Sequence, residues 1–217
     1  MAIYVFHHLP KCGGTASRQA FNKWFRVVHD YRADVSPETT ETYVKNKLDL
    51  STLDAHSLLA GHFELPGAHL QQRYPEILSN ERFRLITFVR NPLEIGLSLY
   101  FYERAVRDRY AYHSLSERLH SLENYLASIF PCTEADFKAV IDRYFFVGLT
   151  ERLQESFDIL ARMIGKKRII VPVVNAVPRD EEVTEDDVRR FNEKNELDFK
   201  VYAYCSERFE RYRNEYA

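Results

Sequence analysis

The segment from Pro10 to Thr15 combines the residue types that bind phosphate-like anions. Lys11 carries a positive charge on a flexible side chain, and Gly13 and Gly14 allow a ligand to approach the backbone closely. Thr15 adds a hydroxyl where a helix is expected to begin, and a helix N-terminus attracts negative charge. The Walker A pattern GxxxxGK(S/T) is absent, because Lys11 precedes the glycines. The segment predicts an anion site, with a tight turn and an exposed lysine as the alternative.

Arg90 and Ser98 form a second group with the same chemistry. Arg90 follows the clearest strand-like run of the chain, residues 84–89, and Ser98 lies on the helix predicted to follow. Arginine holds phosphate through two parallel hydrogen bonds, and serine adds a further donor. Ligands of parallel α/β sheets bind beyond the carboxyl ends of the strands. We therefore expect both residues at the edge that carries Lys11, although either one alone is more typical of an exposed surface.

An alternation of strand and helix patterns must position these residues. Short apolar runs, most of them rich in β-branched or aromatic residues, predict strands, and apolar positions at helical spacing predict the helices between them. The predicted strands cover residues 3–6, 27–29, 58–62, 84–89 and 145–149, and the predicted helices cover 16–25, 116–128, 133–144, 151–164 and 198–216, with two more starting at Pro37 and Pro92. This alternation predicts an α/β fold with a mostly parallel central sheet flanked by helices, in one domain over residues 1–217.

Two of these segments resemble motifs of one enzyme family. Residues 8–15, HLPKCGGT, resemble the 5′-phosphosulfate loop of sulfotransferases that use 3′-phosphoadenosine 5′-phosphosulfate (PAPS). Residues 88–92, FVRNP, together with Ser98, resemble the 3′-phosphate motif of the same family, in the same order and at a similar separation. Residues 61–63, GHF, are similar to the Gly-His segment of the glycan branch, the uronosyl 2-O-sulfotransferase type. The resemblance implies a P-loop-like three-layer fold and sulfuryl transfer from PAPS to a hydroxyl acceptor.

The resemblance also implies a role for each matching residue. Lys11 would stabilise charge on the leaving phosphate, and His62 would take the proton from the acceptor hydroxyl. The 5′-phosphate would be bound by the backbone N–H groups of Cys12, Gly13, Gly14, Thr15 and Ala16, and the 3′-phosphate by Arg90 and Ser98. The chain departs from the family pattern at Cys12, Ala16 and Asn91, where Thr, Ser or Thr, and Asp are more usual.

The implied chemistry is consistent with the residue types. An alcohol is a poor nucleophile at neutral pH, so histidine is a suitable base, and His7 and His8 compete with His62 for that role. The transferred group carries less charge than a phosphoryl group, and no acidic residue stands near the loop as a magnesium ligand would, so we expect no metal. The implied acceptor is a hydroxyl-bearing small molecule or a glycan. The alternatives are a P-loop-type nucleotide-dependent kinase and a non-catalytic nucleotide-binding module.

Composition limits the remaining possibilities. A formal net charge of −2 gives no reason to expect nucleic acid as a partner. Three scattered cysteines without a CxxC pair support neither a disulfide framework nor a zinc site. The first residues show no secretory signal, and no apolar run is long enough to span a membrane, so a cytoplasmic protein is expected.

Two further segments are predicted to lie near the ligands. Turn-forming residues at 174–179 predict a loop that closes over the nucleotide. Arg104, Arg107 and Arg109 follow three aromatic residues, on a helix whose mixed face is suited to help bind an anionic acceptor.

Overall fold

Five parallel strands form the central sheet of the chain. The computed structural model describes residues 2–34, 36–106, 114–174 and 179–216. The strands are β1 (Ile3–His7), β2 (Arg26–Asp30), β3 (Ser57–Gly61), β4 (Phe83–Val89) and β5 (Phe146–Leu149), in the spatial order β2-β3-β1-β4-β5. Each coincides with a predicted strand to within one residue at either end, because each contains a short apolar run bounded by polar or turn-forming residues.

Helices connect consecutive strands and continue after β5. They are α1 (Gly14–Phe21), α2 (Pro37–Lys45), α3 (Leu70–Arg73), α4 (Pro75–Ser79), α5 (Pro92–Val106), α6 (Leu115–Ser121), α7 (Tyr125–Ile129), α8 (Phe137–Asp142), α9 (Leu153–Met163), α10 (Glu185–Lys194) and α11 (Glu196–Tyr216). Short 3₁₀ helices occupy Leu50–Thr52 and Thr150–Arg152. The predicted start of α2 is confirmed, since Ser36 Oγ accepts from Thr39 N at 3.2 Å and Pro37 occupies the first turn. In the described residues, no helix is both long and apolar enough to cross a bilayer.

Three predicted helices are wrong in their extent: the helix predicted over 16–25 ends at Phe21, the one over 133–144 begins only at Phe137, and the third is divided in two. Residues 116–128 form two helices, α6 and α7, because the chain reverses at Asn124, which has a φ of 45°. Asp198 of α11 caps α7, accepting hydrogen bonds from Leu126 N at 2.9 Å and Ala127 N at 2.8 Å. Burial raises the pKa of this carboxyl to about 6. The cap lies about 70 residues away along the chain, so local periodicity gives no sign of it.

Aromatic side chains cover both faces of the sheet. On one face, Phe6 and Phe88 pack against Phe21 of α1 and Phe157 of α9. On the other face, His7 packs against aromatic rings, among them that of Phe130 at the end of α7. The described residues therefore form the three layers of an α/β fold, as expected.

The register of β1 with its neighbours determines where the connecting loops meet. His7 is paired with Gly61 of β3 on one side and with Thr87 of β4 on the other. The segments that leave β1, β3 and β4 therefore begin side by side at the carboxyl edge of the sheet. This edge carries the loop after β1, His62 after β3 and Arg90 after β4.

A buried ion pair holds the adjacent part of this edge. Arg73 donates through Nε and Nη2 to Asp30 at 2.7 and 2.8 Å, and both side chains are almost fully buried. Tyr74 Oη donates to the same carboxylate at 2.9 Å. Arg73 also donates to the carbonyl of Tyr43, whose hydroxyl in turn donates to the carbonyl of His62 at 2.9 Å. The network thereby ties α2, α3 and β2 to the backbone of His62.

Replacing Arg73 by Ala is expected to lower the free energy of unfolding by about 3–5 kcal/mol, because the carboxylate of Asp30 would stay buried without its counter-charge. Chemical denaturation measures the loss. Lys45→Ala, which removes an exposed ion pair with Glu41, serves as the control and is expected to cost under about 1 kcal/mol. Equal stability of the two variants would contradict the role assigned to Arg73.

Candidate active site

A cleft of about 790 Å³ opens at the carboxyl edge of the sheet. It brings together Lys11, Thr15, His62, Arg90 and Ser98, which the sequence had singled out, whereas Cys12 and His7 lie outside its lining. Its lining consists of His8, Pro10, Lys11, Gly13, Gly14, Thr15, Ala16, His62, Glu64, Arg90, Ser98, Leu99, Tyr102, Glu103, Arg118, Tyr125, Thr150, Leu153, Gln154 and residues 171–174.

The loop after β1 turns sharply to place the N-terminus of α1 in the cleft. Lys11 and Gly13 have φ values of 63° and 71°, in the left-handed region that glycine adopts without strain. Gly13 provides no side-chain cap, and the first-turn amides of a helix have no carbonyl within the helix to bond. A Cβ on Gly14 would lie 1.4 Å from His8 Nε2. The glycines are therefore required by the backbone conformation and by the close approach to His8.

Lys11 lies in the cleft over an aromatic ring. Its Nζ is 3.5 Å from the centroid of the Tyr102 ring, on α5. Burial, reinforced by the positive charge of Arg90, lowers the pKa of Lys11 from 10.5 to about 8, while Glu103 acts in the opposite direction. The ammonium is therefore charged at pH 7, but its pKa is only slightly above that pH.

Arg90 is held in place by the protein itself. Its Nη1 donates to the carbonyl of Lys11 at 3.3 Å, and its Nη2 donates to Glu94 at 2.9 Å. Glu94 also accepts from Arg179 at 2.7 and 3.1 Å. Hydrogen bonds from Arg179, with the charges of both arginines, hold the pKa of Glu94 below its usual value. Arg90 is thus oriented toward the loop of Lys11, and Ser98 lies one turn beyond Glu94 on α5.

His62 lies beside a carboxylate and against a second imidazole. Its Nδ1 is 3.9 Å from Glu64 Oε2, too long for a hydrogen bond, and neither atom has a hydrogen-bond partner among the described residues. The rings of His62 and His8 are 4.1 Å apart, and Tyr31 packs edge-on against His62 at 4.9 Å. Burial lowers the pKa of His62 below 6.5, although Glu64 opposes the shift. The imidazole is therefore neutral at pH 7 and able to accept a proton.

The structure separates the other two candidate bases. His7 is buried outside the cleft lining, where its Nδ1 lies 2.6 Å from Tyr144 Oη, and burial lowers its pKa to about 3. His8 lines the cleft with its Nδ1 at 3.0 Å from Tyr31 Oη, and burial lowers its pKa well below 6.5. Of the two, only His8 lies within reach of a ligand in the cleft.

Cys12 lies in the protein interior and not on the surface of the cleft. Its side chain is buried outside the cleft lining, and burial raises the pKa of the thiol. Its N–H donates to the carbonyl of Leu9 at 3.3 Å, so this amide is already used by the turn. The remaining predicted amide donors, Gly13 to Ala16, all belong to residues of the cleft lining.

Sequence reasoning missed the far wall of the cleft. Arg118 of α6 donates to both carboxylate oxygens of Glu103 at 3.0 Å, and Tyr125 lies nearby in the lining. Tyr102 had a signal in the sequence, since Glu94, Ser98 and Tyr102 recur every four residues along one face of α5. For Glu64 the signal in the sequence is weaker: it is only the position of this residue two places after His62.

The two further predicted segments fall partly outside the described residues. Residues 171–174 line the cleft, and Gln154 holds this strand-like segment by donating to Ile169 O and accepting from Val171 N, both at 2.9 Å. Residues 175–178 of the predicted loop lie outside the described residues, as do Arg107 and Arg109. Arg104 pairs with Asp180 and Glu181. Among the described side chains, no group of three or more His, Cys, Asp or Glu is arranged to hold a metal ion.

Comparisons with known proteins give matches at the level of structure. No protein-family model and no curated protein sequence matches the chain. The crystal structure of a sulfotransferase from Alicyclobacillus acidocaldarius is similar with a TM-score of 0.52 at 14% sequence identity, covering 95% of both chains. The structure of mouse sulfotransferase SULT7A1 complexed with PAP gives a TM-score of 0.48 at 13% identity, covering 92% of this chain and 66% of that one. The first likeness shows that this chain has the α/β fold of a sulfotransferase structure.

The pKa of Lys11 can be measured directly. After reductive methylation with ¹³C-formaldehyde, one lysine resonance is expected to titrate near pH 8 and to be missing in Lys11→Arg. Because the ammonium is the charged form, positive charge at the loop should be present below pH 8 and be lost as the pH rises through it. A Lys11 resonance that titrates above pH 10 would contradict this environment.

Proposed function

We propose that the chain is a PAPS-dependent sulfotransferase, acting as one domain over residues 1–217. It would transfer a sulfuryl group to a hydroxyl of an acceptor that is a carbohydrate or glycoconjugate. The observation that carries the proposal is the convergence of the Lys11 loop, Arg90 and His62 on one cleft. The likeness of residues 8–15 and 88–92 to the two nucleotide motifs of sulfotransferases supports it, as does the fold shared with a sulfotransferase structure.

The cleft suits a doubly phosphorylated nucleotide. Its volume is typical of sites for ligands of that size. The N-terminus of α1 and Lys11 provide positive charge at one point, and Arg90 with Ser98 provides donors at a second. The 5′-phosphosulfate would occupy the first point and the 3′-phosphate the second. This division of the phosphates follows the resemblance of the two motifs.

The proposed reaction uses two residues directly. His62 takes the proton of the acceptor hydroxyl as the oxygen forms its bond to sulfur. The bond between sulfur and the bridging oxygen breaks, and Lys11 stabilises the negative charge that develops on the leaving 5′-phosphate. Because the pKa of His62 is lowered, its imidazole is neutral at physiological pH and available to accept the proton.

Two measurements test the function as a whole. Adenosine 3′,5′-bisphosphate (PAP) is expected to raise the melting temperature more than ATP with Mg²⁺ does, and radiolabelled sulfate should pass from PAPS to a member of a panel of glycans and small alcohols. Stabilisation by ATP with Mg²⁺ alone would favour a kinase. PAP binding without transfer to any alcohol would favour a non-catalytic binding module.

Replacing Arg90 by Ala is expected to weaken PAP binding by roughly 30- to 1,000-fold, equivalent to about 2–4 kcal/mol, because a buried phosphate would lose its charged partner. Isothermal titration calorimetry measures the change. Arg189→Ala is a matched control, since Arg189 also pairs with a glutamate four residues later but lies on α10, outside the cleft lining. An affinity that is the same in both variants would remove Arg90 from the site.

Replacing His62 by Ala is expected to lower the transfer rate by about 10²–10⁴-fold while PAP affinity changes little, because the general base is lost and the phosphate contacts remain. The wild-type rate should fall as the pH drops through the pKa of His62, which lies below 6.5, and the variant should lack this acid limb. His56→Ala, an exposed histidine before β3, serves as the control. A variant that keeps most of its turnover would show that His62 is not the base.

A further inference from the structure

The carboxylate of Glu64 has unused hydrogen-bonding capacity next to His62. Both side chains line the cleft and are only 25% and 29% exposed, respectively. Glu64 Oε2 and His62 Nδ1 are buried atoms, and neither has a hydrogen-bond partner among the described residues. Buried polar atoms are nearly always satisfied, so two unsatisfied atoms on residues that line one cavity indicate a place for a ligand group.

The chemistry of the two atoms limits what such a ligand can present. An ionised carboxylate only accepts hydrogen bonds. The group that meets Glu64 must therefore be a donor, such as a hydroxyl or an amine. The separation of 3.9 Å between the two atoms suits two neighbouring polar groups on one molecule, each bonded to one atom.

The other charged groups of the cleft are paired within the protein or, like Lys11 and Arg90, are assigned above to the nucleotide. Glu103 is neutralised by two hydrogen bonds from Arg118, and Arg90 is bonded to Glu94. Arg18 and Arg32 are absent from the cleft lining, and their charges act on His62 only through space. The positive charges of Arg18 and Arg32 offset part of the electrostatic effect of the Glu64 carboxylate on this region. The selectivity of Glu64 for a ligand group therefore depends on direct hydrogen bonding.

We propose that Glu64 forms an acceptor subsite that selects alcohols with a hydrogen-bond donor adjacent to the reacting hydroxyl, which rests on the sulfotransferase function proposed above. A vicinal diol, as in a sugar, or an amino alcohol gives one hydroxyl to His62 and the second group to Glu64. A carboxylate or sulfate at the second position would face the carboxylate of Glu64 with acceptors only and is rejected.

Five cyclohexane probes, which differ only at the carbon next to the reacting hydroxyl, test this selectivity: cis- and trans-cyclohexane-1,2-diol, 2-aminocyclohexanol, cyclohexanol and 2-hydroxycyclohexanecarboxylate. Their affinities for the PAP complex of the full chain are measured by titration calorimetry or ligand-observed NMR. In the wild type, the diol and the amino alcohol are expected to bind about 10-fold or more tightly than the other two. Equal binding of all probes, or binding of none, would overturn the proposal.

Substitutions of Glu64 separate its possible roles. Glu64→Leu is expected to abolish the preference, whereas Glu64→Gln retains the diol through its amide oxygen and admits the hydroxy acid through its amide N–H. Glu76→Gln, an exposed glutamate on α4, should leave the preference unchanged. If Glu64 instead acted only through His62, Glu64→Gln would lower turnover with every alcohol equally and leave their ratios intact, and the subsite would be refuted.

Failure of the acceptor subsite can be distinguished from failure of the proposed sulfotransferase function. PAP binding to the wild type is measured first, without any acceptor. A chain that does not bind PAP refutes the sulfotransferase proposal. A chain that binds PAP and transfers sulfate without discriminating among the probes refutes only the subsite.

Discussion

The parallel pairing of β1 between β3 and β4 is the constraint on which the site depends. His7 is paired with Gly61 on one side and with Thr87 on the other, so the three strands end nearly level. A slip of either pairing by one residue would turn the side chains of a buried strand to the opposite face. The core therefore fixes the register, and the register brings the Lys11 loop and His62 to one edge. The chemistry of the cleft is in this sense a consequence of the packing of the sheet.

A close contact between His8 and Gly14 extends this constraint into the cleft. The His8 ring lies so near the backbone of Gly14 that no side chain fits between them, and the His62 ring also packs against it at 4.1 Å. The helix that presents its N-terminus to an anion and the imidazole proposed as base are therefore held against the same side chain. The Asp30–Arg73 network fixes the backbone of His62 from the other direction, through Tyr43. Neither the helix nor the base can shift without disturbing buried contacts.

Most of the fold and about half of the cleft follow from local sequence patterns. The strands could be predicted because each contains a short apolar run, and Lys11 and Arg90 because each follows a strand that had to reach the same edge, whereas His62 was indicated by the resemblance of residues 61–63. The break between α6 and α7 could not, because it depends on the distant cap by Asp198. The Glu103–Arg118 wall likewise joins two helices whose mutual position is set by tertiary packing. The acceptor side of the cleft is therefore the part that sequence reasoning leaves undetermined.

The cations of the cleft are held by partners that an incoming anion would have to replace or share. Arg90 is bonded to Glu94, Lys11 lies over Tyr102, and both partners are on the same face of α5. Binding a phosphate at Arg90 exchanges one charged partner for another, so the net gain is smaller than the new contact alone suggests. In return, the guanidinium is already ordered and loses little conformational entropy on binding. Because α5 also carries Ser98, this one helix both orients the cations and supplies a donor, which makes its packing against the sheet as important to the cleft as the loop after β1.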